Sequence, residues 1–195
     1  MNTNPNHPVP KEWANPTAAG LVALAVACAC FFAMLTGRVA PTTLLGCWLL
    51  GGFVVQIVVA LLDLKGGNHA GGNTFLFFSA FFMLVSGLEI ILKANAAAAG
   101  APLDGTIDGY AWCVLTAVIY LWTPAFFSKF SLLSIIVVLL DIALPFIALA
   151  DLGVIDKSLT HISAWALLGA GITAVYMSGA IVVNTAFGKK VFPMP

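Results

Sequence analysis

Six uninterrupted apolar stretches, at roughly 17–37, 42–62, 73–92, 109–127, 131–150 and 162–186, constrain this chain more than anything else in it. A helix needs about 20 such residues to cross the hydrocarbon core of a bilayer. Lipid offers no water to satisfy a backbone, so spans of this length are expected to be helices. The breaks between them fall at Arg38 to Pro41, Asp63 to Gly72, Lys93 to Asp108, Ser128 to Phe130 and Asp151 to His161. Composition agrees, with 61% of residues hydrophobic and 8% charged, where a soluble domain carries about 25% charged residues. The fold expected is an all-α membrane protein, a six-transmembrane-helix bundle over residues 15–187. A polar tail, 1–14, precedes it and a short tail, 188–195, follows it. The first apolar run is too long for the core of a signal peptide and no cleavage site follows it.

Six spans put both termini on one side. Lys11, Lys65, Lys129, Lys189 and Lys190 lie there, against Arg38, Lys93 and Lys157 opposite. The excess of lysine places both termini in the cytoplasm and the chain in the cell membrane as a multi-pass protein. A formal net charge of 0 argues against nucleic acid as a partner. Cys28, Cys30, Cys47 and Cys113 sit within apolar segments at spacings that suggest neither a metal site nor a disulfide framework. All four read as buried thiols packing as small apolar groups.

Two stripes of small residues point to close helix packing. Ala166, Ala170, Ala174 and Ser178 recur every four residues in the last span, beside Gly171, Val175 and Gly179. Ala19, Ala23 and Ala27 do the same in the first. Such spacing lets backbones approach in lipid, where dispersion drives association.

Few residues could carry chemistry. Asn15 and Pro16 open N-P-T-A-A-G-L at the start of the first span. Asn is a strong N-cap and Pro suits the first helical position. This is either a tidy helix start or a helix N-terminus that presents free N–H groups to an anion. Asp141 stands at the middle of the fifth span, where an ionisable group is costly and defaults to a functional hypothesis. Pro145 four residues on has no N–H, so the Asp141 carbonyl loses its helical partner and a kink is expected. Asp141 is therefore a proton-carrying group or a structural one. Gln56 either lines a path or ties helices together. Glu89 is accounted for by Lys93 one turn later, and His161 alone is no metal site. No catalytic triad, phosphate loop or metal cluster is present, so neither an enzyme nor a cofactor is expected.

Three blocks resemble the acetate uptake transporter family. The first is N-P-T-A-A-G-L at 15–21, keeping Asn15, Pro16, Gly20 and Leu21. The second is L-L-D-L-K-G-G-N-H-A-G-G-N-T-F at 61–75, with Lys65, Gly67, Asn68, Gly71 and Phe75 in place and Gln56 in the helix before it. The third is H-I-S-A-W at 161–165, then G-I-T-A-V-Y at 171–176 and N-T-A-F-G-K-K-V-F-P at 184–193. The resemblance implies six helices assembled as a homohexamer, each protomer holding its own path for a small monocarboxylate, with Asn15 and Pro16 helping to form the site. With no cation inside the spans, an acetate-like anion must be held by helix N-termini and hydroxyls, the candidates being Thr17, Thr74, Ser79, Thr173 and Tyr176. Ala174 has a counterpart bordering the path. The family narrows its path with a Phe, a Leu and a Tyr. Here Leu24 takes the Phe position, Phe78 the Tyr position, and the Leu position falls near Asp141. Ala19 replaces the second Pro of the opening motif, and Ile181 stands where the family has a late Glu.

The function expected is transport of small monocarboxylates across the bilayer, with Asp141 as a candidate for coupling to protons. An ammonia/ammonium or neutral-solute channel, and a non-transporting membrane scaffold or sensor, are the rival expectations.

Overall fold

The computed structural model describes residues 14–40 and 43–194. Lys11, most of the N-terminal tail and Pro41 lie outside the described residues. Helices run as α1 (Thr17–Leu35), α2 (Thr43–Lys65), α3 (His69–Phe77), α4 (Ser86–Ala98), α5 (Thr106–Trp122), α6 (Leu132–Asp151) and α7 (Thr160–Phe187). A π-helical segment, Phe78–Val85, joins α3 to α4 into one span, and a 3₁₀ turn, Thr123–Phe127, ends the α5 span. The six helical spans are long and apolar enough to cross a membrane. They match the six stretches read from sequence in number and order, but the limits differ: the second runs on to Lys65, the third runs from His69 to Ala98 and so takes in the expected break at Lys93, the fourth starts at Thr106, and the last begins at Lys157. The starts of the third and the last spans follow from caps. Asn68 Oδ1 accepts from the Gly71 N–H at 3.0 Å, starting α3 before its apolar run. Asp156 Oδ1 accepts from the Ser158 N–H at 2.8 Å and opens the last span.

Small residues set the packing where they face another helix. α1 lies against α7, with Gly171 so close that a Cβ there would stand 3.0 Å from Cys28 Cβ. Ala166, Ala170, Ala174 and Ser178 are buried, as are Ala23 and Ala27, whereas Ala19, Val175 and Gly179 face outward. Only the part of each stripe that meets a neighbour is a packing face. The cysteines divide likewise. Cys28 is buried and Cys30 half-buried, but Cys47 and Cys113 are exposed on the outer surface, contrary to the reading of four buried thiols. Outward-facing apolar residues cost nothing in lipid, so an apolar segment does not reveal which of its faces is inside.

At the end of the bundle opposite the termini, Lys93 pairs with Asp108 on α5 and lies 3.6 Å from Glu89. The i, i+4 pair is therefore one arm of a bridge between spans. Asp104 and Asp156 are both held below the usual carboxylate range by hydrogen bonds from Thr106 and Ser158.

Gly46 of α2 and Gly87 of α4 form a close crossing. A Cβ on Gly46 would fall 2.6 Å from the Gly87 carbonyl oxygen. Helix propensity alone favours Ala over Gly by about 1 kcal/mol, while overpacking costs about 1–3 kcal/mol. Gly46→Ala is accordingly expected to lower the melting temperature in detergent. A raised melting temperature would show that the crossing is not under this constraint.

Candidate functional site

The opening motif forms a helix start as its residues specify. Asn15 Oδ1 accepts from the Thr17 N–H at 2.9 Å, and the Pro16 carbonyl accepts from the Ala19 N–H at 3.0 Å. One turn on, α1 is tied to two other helices through its backbone. Gln56 Nε2 of α2 donates to the Gly20 carbonyl at 3.2 Å, and Ser178 Oγ of α7 donates to the Ala18 carbonyl at 2.9 Å. Gly20 is needed here, since a Cβ would stand 2.7 Å from the Phe75 ring.

This corner encloses a small cavity, about 20 Å³ measured to the centre of a water molecule, room for one or two water-sized groups. Leu21 and Leu24 line it from α1, Gln56 from α2, and Thr74, Phe75 and Phe78 from the third span. α6 closes the far side with Leu133, Ile136, Val137 and Leu140. Phe126 covers the remaining edge, its carbonyl fixed by a hydrogen bond from Ser134 Oγ of α6. Two of the lining residues each carry a buried polar atom without a partner, Gln56 Oε1 and Thr74 Oγ1, while the surface the cavity presents is apolar. Phe78 carries the contact onward to Phe82 at 5.5 Å between ring centroids, and Phe82 stacks on Phe31 at 4.8 Å.

The structure thus brings Leu21, Leu24, Gln56, Phe75 and Phe78 together with Thr74. Asn15, Pro16 and Thr17 lie at the end of α1, Asn15 about 9 Å along the helix axis from Leu21 at 1.5 Å per residue. The last span supplies no lining residue. Ala174 is fully buried in the packing core, Thr173 Oγ1 donates to the Gly169 carbonyl at 2.9 Å, and the Tyr176 hydroxyl donates to the Pro193 carbonyl at 2.8 Å. Ser79 Oγ donates to the Phe53 carbonyl at 3.3 Å. The lining residues Ile136 and Val137 carried no mark in the sequence, because one aliphatic residue of a continuous span looks like the next.

Asp141 is next to the lining residue Leu140 but is not itself part of the lining. Thr123 Oγ1 donates to its Oδ2 at 2.8 Å. The carbonyl that Pro145 strips of its helical donor accepts instead from the Tyr120 hydroxyl at 2.9 Å. α6 runs through Pro145 as one helix, so the freed carbonyl belongs to the α5–α6 contact and not to a broken-helix site.

No family model matches the chain. The succinate-acetate/proton symporter SatP of Escherichia coli K12 is 24% identical over 145 residues, covering 73% of this chain and 74% of that protein. SatP of Shigella flexneri matches to the same extent. A solved structure titled as that of the bacterial acetate channel SatP superposes with a TM-score of 0.81, over 94% of this chain and 99% of that one, at 18% identity. The resemblance to the acetate uptake transporter family holds. The solved SatP structure shares the fold over nearly the whole chain, and the relatives named here are transport proteins, not enzymes.

Removing the hydroxyl in Tyr120→Phe leaves the Asp141 carbonyl unpaired, which costs about 1–3 kcal/mol. Asp141→Asn keeps a polar partner for Thr123, whereas Asp141→Leu does not. Thermal unfolding in detergent should therefore rank wild type and Asp141→Asn above Tyr120→Phe and Asp141→Leu. Equal melting of all four would remove the structural role of this contact.

Proposed function

We propose that the chain transports small monocarboxylates such as acetate across the cell membrane, through a path within each protomer that crosses the cavity between α1, α2, α3 and α6. The observation that carries this reading is the cavity itself: twelve lining residues from five spans meet there, and two of them carry a buried polar atom without a partner. Unsatisfied buried groups are rare and call for an explanation; a passing substrate supplies one. The relatives support the substrate class, being named for acetate and succinate. The path enters at Asn15, where the capped start of α1 offers a positive dipole end to an arriving carboxylate, and continues past Leu21 and Leu24. The packed rings of Phe78, Phe82 and Phe31 close it beyond, and the π-helical segment that carries two of them is the element expected to move. Both termini face the cytoplasm, as the lysine bias indicates, and protomers assemble as a hexamer, as in the resemblance. Asp141 lies off the cavity wall, which weighs against an ammonium path built around that carboxylate.

Labelled acetate should enter proteoliposomes faster than protein-free vesicles of the same lipid; equal rates would leave a scaffold. Leu24→Ala should widen the narrowing and raise uptake of a four-carbon acid relative to acetate several-fold in correctly assembled protein. An unchanged ratio would put selectivity elsewhere.

A further inference from the structure

We infer that the outer surface of α1 and α2 holds one anionic phospholipid, its phosphate on Arg38 and an acyl chain in the groove between the two helices. The groove lies at the end of the bundle opposite the termini. Ala29, Cys30 and Ala33 line it from α1, Leu45 and Trp48 from α2, and Val39 and Ala40 from the connection between them. None of these residues lines the cavity of the transport reading, so the inference stands apart from it. The groove is open and holds about 580 Å³ measured to the centre of a water molecule, within the range of about 300–1,000 Å³ that small-molecule sites occupy. The small side chains of α1 leave this space. Ala29 and Ala33 lie one turn apart on the same face of the helix, and both leave room beside the indole of Trp48.

The surface of the groove is almost wholly apolar, so water inside it would find few partners. In a bilayer the apolar group at hand is an acyl chain. The groove reaches down to Ala29, about 9 Å below the last residue of α1 at 1.5 Å per residue. Its rim decides which lipid. Arg38 directly precedes Val39 and is exposed. Its guanidinium carbon stands 5.1 Å from the centroid of the Phe32 ring, and Phe32 meets Trp165 edge-on at 5.0 Å. The ring holds the cation in place without neutralising it. Arg38 makes no salt bridge among the described residues, whereas Lys93 at the same end is paired with two carboxylates. A guanidinium offers five donors in a planar fork that matches phosphate oxygens. Trp48 is 64% exposed and Trp165 59%, the placement tryptophan takes at headgroup level. Phosphate height and groove depth therefore agree.

The test uses the full chain, delipidated in detergent, and native mass spectrometry with phosphatidylglycerol or phosphatidylcholine of the same acyl chains. One phosphatidylglycerol per chain should be retained, about fivefold more tightly than phosphatidylcholine, the worth of one basic residue near an anionic surface. Arg38→Gln should abolish that preference. Ala29→Phe should weaken retention of both lipids, because its ring enters the groove from an outward-facing position. Equal retention of the two lipids by the wild-type chain would overturn the inference without recourse to any variant. A preference that survives Arg38→Gln, or retention unchanged in Ala29→Phe, would overturn it as well. If a second copy of this chain covers the groove, Ala29→Phe should instead disperse the oligomer on size-exclusion chromatography while lipid retention stays at the wild-type level. That result would also contradict a lipid site.

Discussion

A bundle in lipid must satisfy its polar groups from within, and one device recurs through this structure: a side chain donating to the backbone of the neighbouring helix. Gln56 bonds Gly20, Ser178 bonds Ala18, Ser163 bonds Ala143 and Tyr120 bonds Asp141. These four bonds link α2 to α1, α7 to α1, α7 to α6 and α5 to α6. Hydrophobicity cannot align helices whose surroundings are as apolar as their contacts, so such bonds, with the close approaches at Gly171 and Gly46, fix the relative positions of the spans. The cavity is a consequence. It forms where Gln56 spends its donor on α1 and keeps its acceptor for the interior.

Among the described residues, two of the three buried orphan oxygens sit on residues that line that cavity, and the third is Asp141 Oδ1 on the α5–α6 side. The separation assigns different work to the two polar corners of the membrane interior. Around Asp141 the partners are a threonine, a tyrosine and the carbonyl freed by Pro145, an arrangement that joins α5 to α6. Gln56 Oε1 and Thr74 Oγ1 have no partner and the cavity surface beside them is apolar. Four charged groups, Lys93, Asp108, Asp151 and Lys157, share a hollow at the end opposite the termini, away from the cavity.

Span number and order were legible because length and charge-free composition are what a bilayer selects. The Asn15–Pro16 helix start was legible because capping is local. The inward face of each helix was not: Ala19 and Gly179 belong to stripes that continue past the packing contact, and Cys47 and Cys113 face outward from segments as apolar as those that hold Cys28. Asp141 attracted attention by its charge, yet the residues at the cavity that carry unpaired atoms are Gln56, which the sequence left open between a path and a helix tie, and Thr74, one of several hydroxyl candidates. The motif resemblance supplied Leu21, Leu24, Phe75 and Phe78 as a group, which spacing alone could not assemble across two spans. The π-helical segment left no sequence signal, since its eight residues read as ordinary apolar helix.

The central claim is that substrate passes through the cavity inside one protomer. Its most direct test is Leu24→Cys in a chain whose four native cysteines have been replaced, reconstituted in vesicles and treated with a small thiol reagent. Modification should stop labelled acetate uptake, and excess acetate should slow the modification. Full modification with uptake unchanged would contradict the account, because a group attached at Leu24 cannot share this cavity with a passing acid.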